Sequence, residues 1–578
     1  MITNARQHTA IALILFCSVM LFIRLGTGEI QPLLEGANAI RAKAILDTGK
    51  FYDQTSLSLG SLKTSSEPPA YFWVVSAFFS KTGTTTFGLR IFTVLCSIGC
   101  LILMYNLSAK LFSRELSYLS IALLAGSMSW NSVSRFGLAE IPLMFFILLS
   151  LWSLYKLFDS KNKSESILWA VILGISLCLG LLTKAAISLL PLLFLIFFII
   201  FGKNKKAEIL SIISGIAGFA LASIWYISML LKYKYGFLNC LLSNSPFSGT
   251  ALKPEGSGFF YYINDLLISN PFILFSLAAG IFIIVKKIRF KNILDGVDSK
   301  PLIFSILSWF ILLLISFSFG EANEPRLTAC MMPAAILIAV LFYEKYYVFE
   351  PSPRLTWILI VILMGVFSWS FSAGTRSSIY GMFSGNFTNT FGLLALTGIL
   401  TFMLFGLISN IKFIESLSAK AMAASWKYLP ALLLLRIAFL NFASPPVADG
   451  AAQIADKLRD TYTNSFVYLY HEISAADSLN PQFAFYTEGW LGNLKQGKTY
   501  IPIVIHPNES LDRSISICDK NSELLLVYYF SRPGSESELI LIRLERNRKL
   551  ILRTKNYALF GKYFYMSKDV TLNQTVTK

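Results

Sequence analysis

Long apolar runs alternate along the chain with short polar interruptions. Runs long enough to cross a bilayer lie near 9–25, 88–106, 116–133, 140–157, 167–183, 185–202, 208–231, 266–285, 302–319, 327–343, 355–372, 389–409 and 428–444. A helix needs roughly 20 apolar residues to span the hydrocarbon core, and only helices or closed barrels satisfy their own backbone there. The pattern therefore predicts a polytopic α-helical membrane protein of about thirteen spans. The first run is too long for a cleaved signal peptide, and no small-residue cleavage site follows it, so it is read as a span.

The polar interruptions carry orientation. With the N-terminus in the cytoplasm, every inside loop is basic: Lys110 and Arg114; Lys156, Lys161 and Lys163; Lys203, Lys205 and Lys206; Lys286, Lys287, Arg289 and Lys291; Lys345 and Arg354; Lys412, Lys420 and Lys427. Lys and Arg concentrate on the cytoplasmic side of membrane proteins. Thirteen spans then place the C-terminal part outside. The outer segments become 26–87, 133–139, 232–265, 320–326, 373–388 and 445–578. Within the first, Leu33–Thr48 reads as an amphipathic helix ended by Gly49. The run from Ala70, after Pro68 and Pro69, is too short to span and should lie in the interface or dip into the bundle.

Composition sharpens the division. Residues 446–578 hold 16 Lys/Arg and 14 Asp/Glu in 133 positions, against 34 and 19 in the other 445. The first density suits a soluble domain and the second a membrane bundle. Hence two domains are expected: 1–444, transmembrane, with 26–87 its large outer loop; and 445–578, an outer-side α/β domain. In the latter a helix at Ala452–Arg459 precedes strand-like runs at Ser465–Tyr470, Tyr500–Ile505, Glu523–Phe530, Glu538–Leu544 and Lys549–Arg553. Overall charge content of 14% and 55% apolar residues exclude a cytosolic enzyme, a nucleic-acid binder and a disordered scaffold. Of the net charge of +17, all but +2 lies in residues 1–445, where positive charge is expected to belong to cytoplasmic loops.

Nucleotide fingerprints and a nucleophile elbow are absent. Five of the seven cysteines sit inside apolar runs, and only Cys240 and Cys518 could pair outside the bilayer. The three histidines, His8, His471 and His506, lie outside the spans, so no buried His cluster is available for catalysis or zinc.

Ionisable residues at span ends are functional candidates. On the outer side they are Glu29, Glu35, Arg41, Lys43, Lys63, Glu67, Lys81, Arg90, Arg135, Glu140, Lys184, Lys232, Glu321, Glu324 and Arg326. Carboxylates beside cations suit transfer chemistry: an acid takes a hydroxyl proton while Arg and Lys hold a leaving phosphate. Plainer readings stand beside this. Glu35 could be the solvated face of an interfacial helix, and Glu140 a charge favoured at a helix N-terminus. Arg135 and Lys184 could anchor at the interface, Arg326 could pair with Glu321 or Glu324, and Tyr261–Tyr262 could form an interfacial belt.

These residues resemble the C-type membrane glycosyltransferases, in particular the aminoarabinose transferase and protein O-mannosyltransferase group. The likeness runs over roughly residues 5–345. It rests on Leu34–Phe51, on Glu67-Pro68-Pro69-Ala70-Tyr71-Phe72-Trp73, on Arg135 to Glu140 with Pro142 and Leu143, on Lys184 with Pro191, and on Pro325-Arg326 with Pro333. Three positions depart from the family: Leu34 stands where an Asp precedes Glu35, Glu140 stands in place of an Asp, and Glu67 stands where a cation precedes the proline pair.

The resemblance implies a GT-C-like fold in a bacterial inner membrane and an inverting transfer from a polyprenyl-phosphate sugar, such as an undecaprenyl carrier, to a lipid A-like lipid, protein or glycan at the outer face. It implies Glu35 and Glu140 as the catalytic acids, with Arg135, Lys184, Arg326, Lys63 and Lys81 holding the donor phosphate. Tyr71, Trp73, Tyr261 and Tyr262 would line the acceptor or lipid path. The C-terminal domain would cap the site or select the acceptor. No cofactor is implied with certainty, and two carboxylates could hold a divalent metal. Two rivals remain: an altered relative that only binds a polyprenyl lipid, and a lipid or solute transporter. Transporters usually show repeated halves, and none is visible here.

Overall fold

The computed structural model describes residues 2–31, 34–53, 67–184, 187–202, 204–243, 261–270, 273, 276, 300–319, 325–348, 450–461, 466–471, 481–486, 503–504, 524–529 and 535–561. The expected spans at 355–372, 389–409 and 428–444, and most of 266–285, lie outside the described residues. The chain divides into two units. One comprises Met1–Thr27, Ala42–Thr55 and Thr64–Pro445; the other comprises Gly28–Arg41, Ser56–Lys63 and Pro446–Lys578.

The first unit is a helical bundle. Its elements are α1 (Ile2–Phe22), the second half of α2 (Leu34–Thr48), α3 (Ala70–Thr82), α4 (Thr86–Leu111), α5 (Arg114–Gly126), α6 (Met128–Val133), α7 (Glu140–Asp159), α8 (Lys163–Leu181), α9 (Leu190–Phe201), α10 (Lys205–Ser243), α11 (Tyr261–Ser269), α12 (Lys300–Phe319) and α13 (Pro325–Val348). Among the described residues six helices are long and apolar enough to cross a membrane, within α4, α7, α8, α10, α12 and α13. The chain is an integral membrane protein.

Local chemistry sets the helix ends. The Thr85 hydroxyl accepts the Gly88 N–H at 3.1 Å and caps α4. Gly49 and Gly83, both at positive φ, end α2 and α3. Past α1 the chain turns at Arg24, also at positive φ. The orphan carbonyls there are taken by two guanidiniums: Arg90 donates to Leu25 O at 3.1 Å, and Arg135 donates to Ile23 O.

The apolar run 116–133, expected as one span, is broken. Ser127 is extended between α5 and α6. The Asn270 amide repairs the break, donating to Leu123 O at 3.1 Å and to Ser127 Oγ at 3.0 Å. A broken membrane helix is tolerated where other side chains satisfy the freed backbone. Hydropathy sees only the continuous apolar pattern and misses the interruption.

Helices α8 and α10 pack closely because small residues meet. A Cβ on Gly218 would collide with the Gly174 carbonyl oxygen, and one on Gly174 would lie 3.1 Å from Ser214 O. The far side of α10 presents Ile216, Ile224, Ile227 and Leu231 outward, the surface that lipid covers. Its helical run is interrupted at Lys234, where φ is 47° and ψ −127°.

The second unit contains a five-stranded mixed sheet in the order β2-β1-β3-β5-β4. The strands are β1 (Phe466–His471), β2 (Ile503–Val504), β3 (Leu524–Tyr529), β4 (Lys549–Arg553) and β5 (Tyr557–Gly561). β1 runs parallel to β2 and β3; β5 runs antiparallel to β3 and β4, with a register shift at Leu550/Leu552. Around it stand α14 (Ala451–Thr461), α15 (Pro481–Tyr486) and α16 (Ser535–Asn547).

The Glu538–Leu544 segment, expected as a strand, is helical within α16. Ser537, Leu541, Leu544 and Arg548 are the buried positions, a spacing of three to four that matches a helix and not a strand. β5 was not expected from the pattern, because every residue in it is buried and it shows no alternation.

This unit also takes in residues 28–41, which charge density alone does not indicate. Glu29 explains why. Its carboxylate accepts the N–H groups of Gly450 (2.9 Å), Ala451 (3.3 Å) and Ala452 (3.0 Å), closing the N-terminus of α14. The Gln482 amide donates to Ile30 O at 2.6 Å, and the Tyr557 hydroxyl donates to Gln482 at 2.8 Å. Glu29 is thus a capping residue.

Candidate functional site

In the first unit the structure joins two of the expected residues from distant parts of the chain. Glu140 opens α7 and is buried to 2% exposure; Lys184 follows the end of α8 and is 34% exposed. Their side chains meet at 2.8 Å. The carboxylate gains from the positive end of α7 as well as from the ammonium. The Thr183 hydroxyl donates to Leu179 O and the Ser188 hydroxyl to Lys184 O, fixing the turn that aims Lys184.

Arg135 lies four residues before the α7 N-cap, among cations. Burial, with Arg90 and Arg24 close by, pulls its guanidinium down to about 10, so it stays charged at neutral pH. It donates to the Ile23 carbonyl at the end of α1. Arg90 stacks over Phe136 at 5.5 Å.

Glu35 belongs to the second unit. It is fully buried in the first turn of α2, where its Oε2 accepts the Gln31 N–H at 2.8 Å. That burial displaces the reading of Glu35 as a solvated face. Lys81 is exposed near the end of α3. Lys63 lies outside the described residues, as do the side chains of Arg326 and Tyr261.

The aromatic candidates separate. Trp73 is half-buried and its indole donates to Phe51 O. Of the Tyr261–Tyr262 pair, only the Tyr262 side chain is among the described ones, and it is buried. Tyr71 is wholly buried against Phe72 and Phe92, and Tyr262 is buried against Phe317. Their rings fill the bundle, where aromatic area is worth most.

Two acids were missed by the sequence reading. Asp53 is buried to 2% exposure, paired with Lys232, and accepts the Tyr233 hydroxyl at 2.7 Å. The only sequence signal is one carboxylate set among aromatics in Phe51-Tyr52-Asp53 after the helix-ending Gly49. Asp265, on α11, has a buried Oδ2 with no hydrogen-bond partner among the described residues. Burial pushes its carboxyl up to about 6, opposed by the Thr328 hydroxyl of α13. An acid inside the apolar run Tyr261–Ser269 was the available signal, one residue short of the span drawn at 266. Among the described residues no three His, Cys, Asp or Glu side chains gather as a metal site.

Residues 66–227 match the family described as dolichyl-phosphate-mannose-protein mannosyltransferase. Among curated proteins, an uncharacterised protein of Aquifex aeolicus (strain VF5) is 25% identical over 330 residues, 57% of this chain and 62% of that one. Undecaprenyl phosphate-alpha-4-amino-4-deoxy-L-arabinose arabinosyl transferase 1 of Pseudomonas fluorescens (strain Pf-5) is 25% identical over 308 residues, 51% of this chain and 53% of that one. The matches thus span about half to two thirds of those relatives' length. Among solved structures, ArnT from Cupriavidus metallidurans in the apo state superposes with a TM-score of 0.63 at 13% identity, over 96% of this chain and 98% of that one. An oligosaccharyltransferase of Archaeoglobus fulgidus superposes with a TM-score of 0.53 at 10% identity, over 96% of this chain and 75% of that one. The fold is shared with both, and the family resemblance read from the residues holds.

Proposed function

We propose that this chain, which is similar to the C-type membrane glycosyltransferases of the aminoarabinose transferase and protein mannosyltransferase group, transfers a sugar from a polyprenyl-phosphate carrier to an acceptor hydroxyl at the outer membrane face. Support comes from ArnT of Cupriavidus metallidurans, which has also been solved bound to undecaprenyl phosphate, with a TM-score of 0.62 to this chain at 14% identity. The observation that carries the reading is the buried Glu140–Lys184 pair, which lies inside the segment matching the mannosyltransferase family.

The chemistry is an inverting displacement. The acceptor oxygen attacks the anomeric carbon, the bond to phosphate breaks, and the phosphate leaves with the bonding electrons on its lipid. The acceptor proton passes to Glu35, the proposed base. Glu140 fixes Lys184, and the part-exposed ammonium meets the charge growing on the leaving phosphate. Arg135 adds positive potential. Acceptor candidates are a lipid A-like lipid, a protein or a glycan.

A second reading, a lipid-binding relative without turnover, is favoured by one observation: Leu34, exposed at 38%, opens α2 where the family carries an acid. Purified protein in nanodiscs, given polyprenyl-phosphate-linked sugars and candidate acceptors, separates the two. Release of polyprenyl phosphate that Lys184→Gln lowers at least about 100-fold supports transfer. Binding of the donor with no release under any acceptor supports the second reading.

A further inference from the structure

A second lysine is held by a buried acid beside the same apolar cluster as Lys184. That cluster gathers Ala70 from α3, Leu181 and Leu182 from the end of α8, and Trp225, Met229 and Phe237 from α10. The Ala70 N–H donates to Leu182 O at 2.9 Å, and the Tyr226 hydroxyl donates to Leu181 O at 2.6 Å. Lys184 leaves the cluster two residues past Leu182, and Lys232 three residues past Met229.

Lys232 is built in. The Lys232 ammonium and the Tyr233 hydroxyl both donate to Asp53 Oδ2, and the Tyr52 and Tyr233 rings flank Nζ at 5.7 and 5.1 Å. The loop carrying Asp53 is pinned in turn, its Phe51 and Tyr52 carbonyls taken by the Trp73 and Trp225 indoles. Two residues on, Lys234 holds a backbone conformation that a side chain rarely adopts. Such strain persists only where surroundings over-determine it, and it concentrates at functional positions.

The Lys232 side chain is nonetheless 48% exposed while its acid is buried. It has three donors; Asp53 takes one, and the exposure leaves the outer side of the group toward solvent. Directly before it α10 shows an outward apolar face, Ile224, Ile227 and Leu231. A fixed cation at the head of an apolar helix face matches an amphiphile with an anionic head and a long hydrocarbon chain.

We infer that Lys232, oriented by Asp53 and Tyr233, binds the phosphate of a lipid whose chain lies along the outward face of α10, and that this lipid is the polyprenyl-phosphate carrier. The inference rests on the transfer reading above. It supplies a cation beside α3, three residues before which the exposed Glu67 stands in place of the family's positive charge.

The test is a binding titration of the full chain in phosphatidylcholine nanodiscs with polyprenyl phosphate, the matching polyprenol and phosphatidylglycerol. Lys232→Gln should weaken polyprenyl-phosphate binding about tenfold, the worth of one charge-assisted hydrogen bond, and leave polyprenol binding unchanged. Lys232→Arg should restore it. Because Lys232→Gln takes the cation from a buried carboxylate, Asp53→Asn/Lys232→Gln is measured beside it and should show the same loss with an unaltered thermal midpoint. Wild-type affinity in the double variant overturns the inference and leaves the transfer reading standing. A loss confined to phosphatidylglycerol overturns it too, because the cation then meets bulk lipid. A wild-type protein that does not distinguish polyprenyl phosphate from polyprenol overturns both.

Discussion

At the scale of single residues, the acids and cations named by the sequence that fall among the described residues divide in their roles. Glu140 and Lys184 stand in separate apolar runs 44 residues apart, and only folding shows that they pair. Glu29 and Arg90, equally plausible as sites by position, are spent on helix ends. A pattern can place a charge at the membrane edge; it cannot say which orphan carbonyl or amide will claim it. Lys184→Met takes one partner from the buried Glu140 carboxylate and should lower stability by about 1–3 kcal/mol, while Glu140→Gln/Lys184→Met should recover part of it. Thermal unfolding in detergent of the three proteins checks this. Glu35→Gln should abolish transfer while polyprenyl-phosphate binding persists; retained turnover in a release assay removes Glu35 as base. Asp265 gives a pH prediction. Its carboxyl is raised from 3.8 to about 6 in the folded chain, so the folded state holds a proton that the unfolded state has lost between those values. Stability from this group is full below about pH 4 and falls as pH rises through about 6, by at most about 3 kcal/mol. Asp265→Asn should flatten that decline in a melting-temperature series from pH 4 to 7.

At the scale of elements, periodicity is legible where an element has one buried face or is apolar throughout, as in α4, α7 and α12. It fails where tertiary contacts overrule the local pattern. The 538–544 run alternates well enough for a strand, yet its buried positions follow the helix. The α5–α6 break is legible only through Asn270, more than a hundred residues away. The α8–α10 contact is a third case, since a glycine reads as a weak helix former until its neighbour is known. Gly218→Leu should force the two helices apart and lower stability by about 1–3 kcal/mol or more, whereas Gly215→Ala, whose added methyl would meet only Leu195 and Leu192 side chains at 3.5 and 4.0 Å, should be nearly neutral. Melting midpoints of the two variants in the same nanodiscs decide it.

At the scale of the whole molecule, the feature with most reach is the distribution of charge. The excess of Lys and Arg sits in loops between apolar runs, and six such loops are basic in strict alternation. Each loop alone is weak evidence of orientation, because a single cluster can be tolerated on either side. Their alternation is stronger, since moving any one loop outside would force its neighbours to swap sides as well. If thirteen spans start from a cytoplasmic N-terminus, residues 445–578 and the loops bearing Glu35, Glu140, Lys184 and Lys232 face the outside, where a carrier-linked sugar meets its acceptor. An even number of spans would put the C-terminal residues in the cytoplasm and leave the same loops outside. A single cysteine added after Lys578, in a variant lacking the seven native cysteines, should therefore react with a membrane-impermeant maleimide on intact spheroplasts. Protection until the membrane is opened would remove one span from the map, without touching the outer position of Glu140 and Lys184. That position needs its own label, a cysteine at exposed Lys81, which should react from the outside whichever result the C-terminus gives.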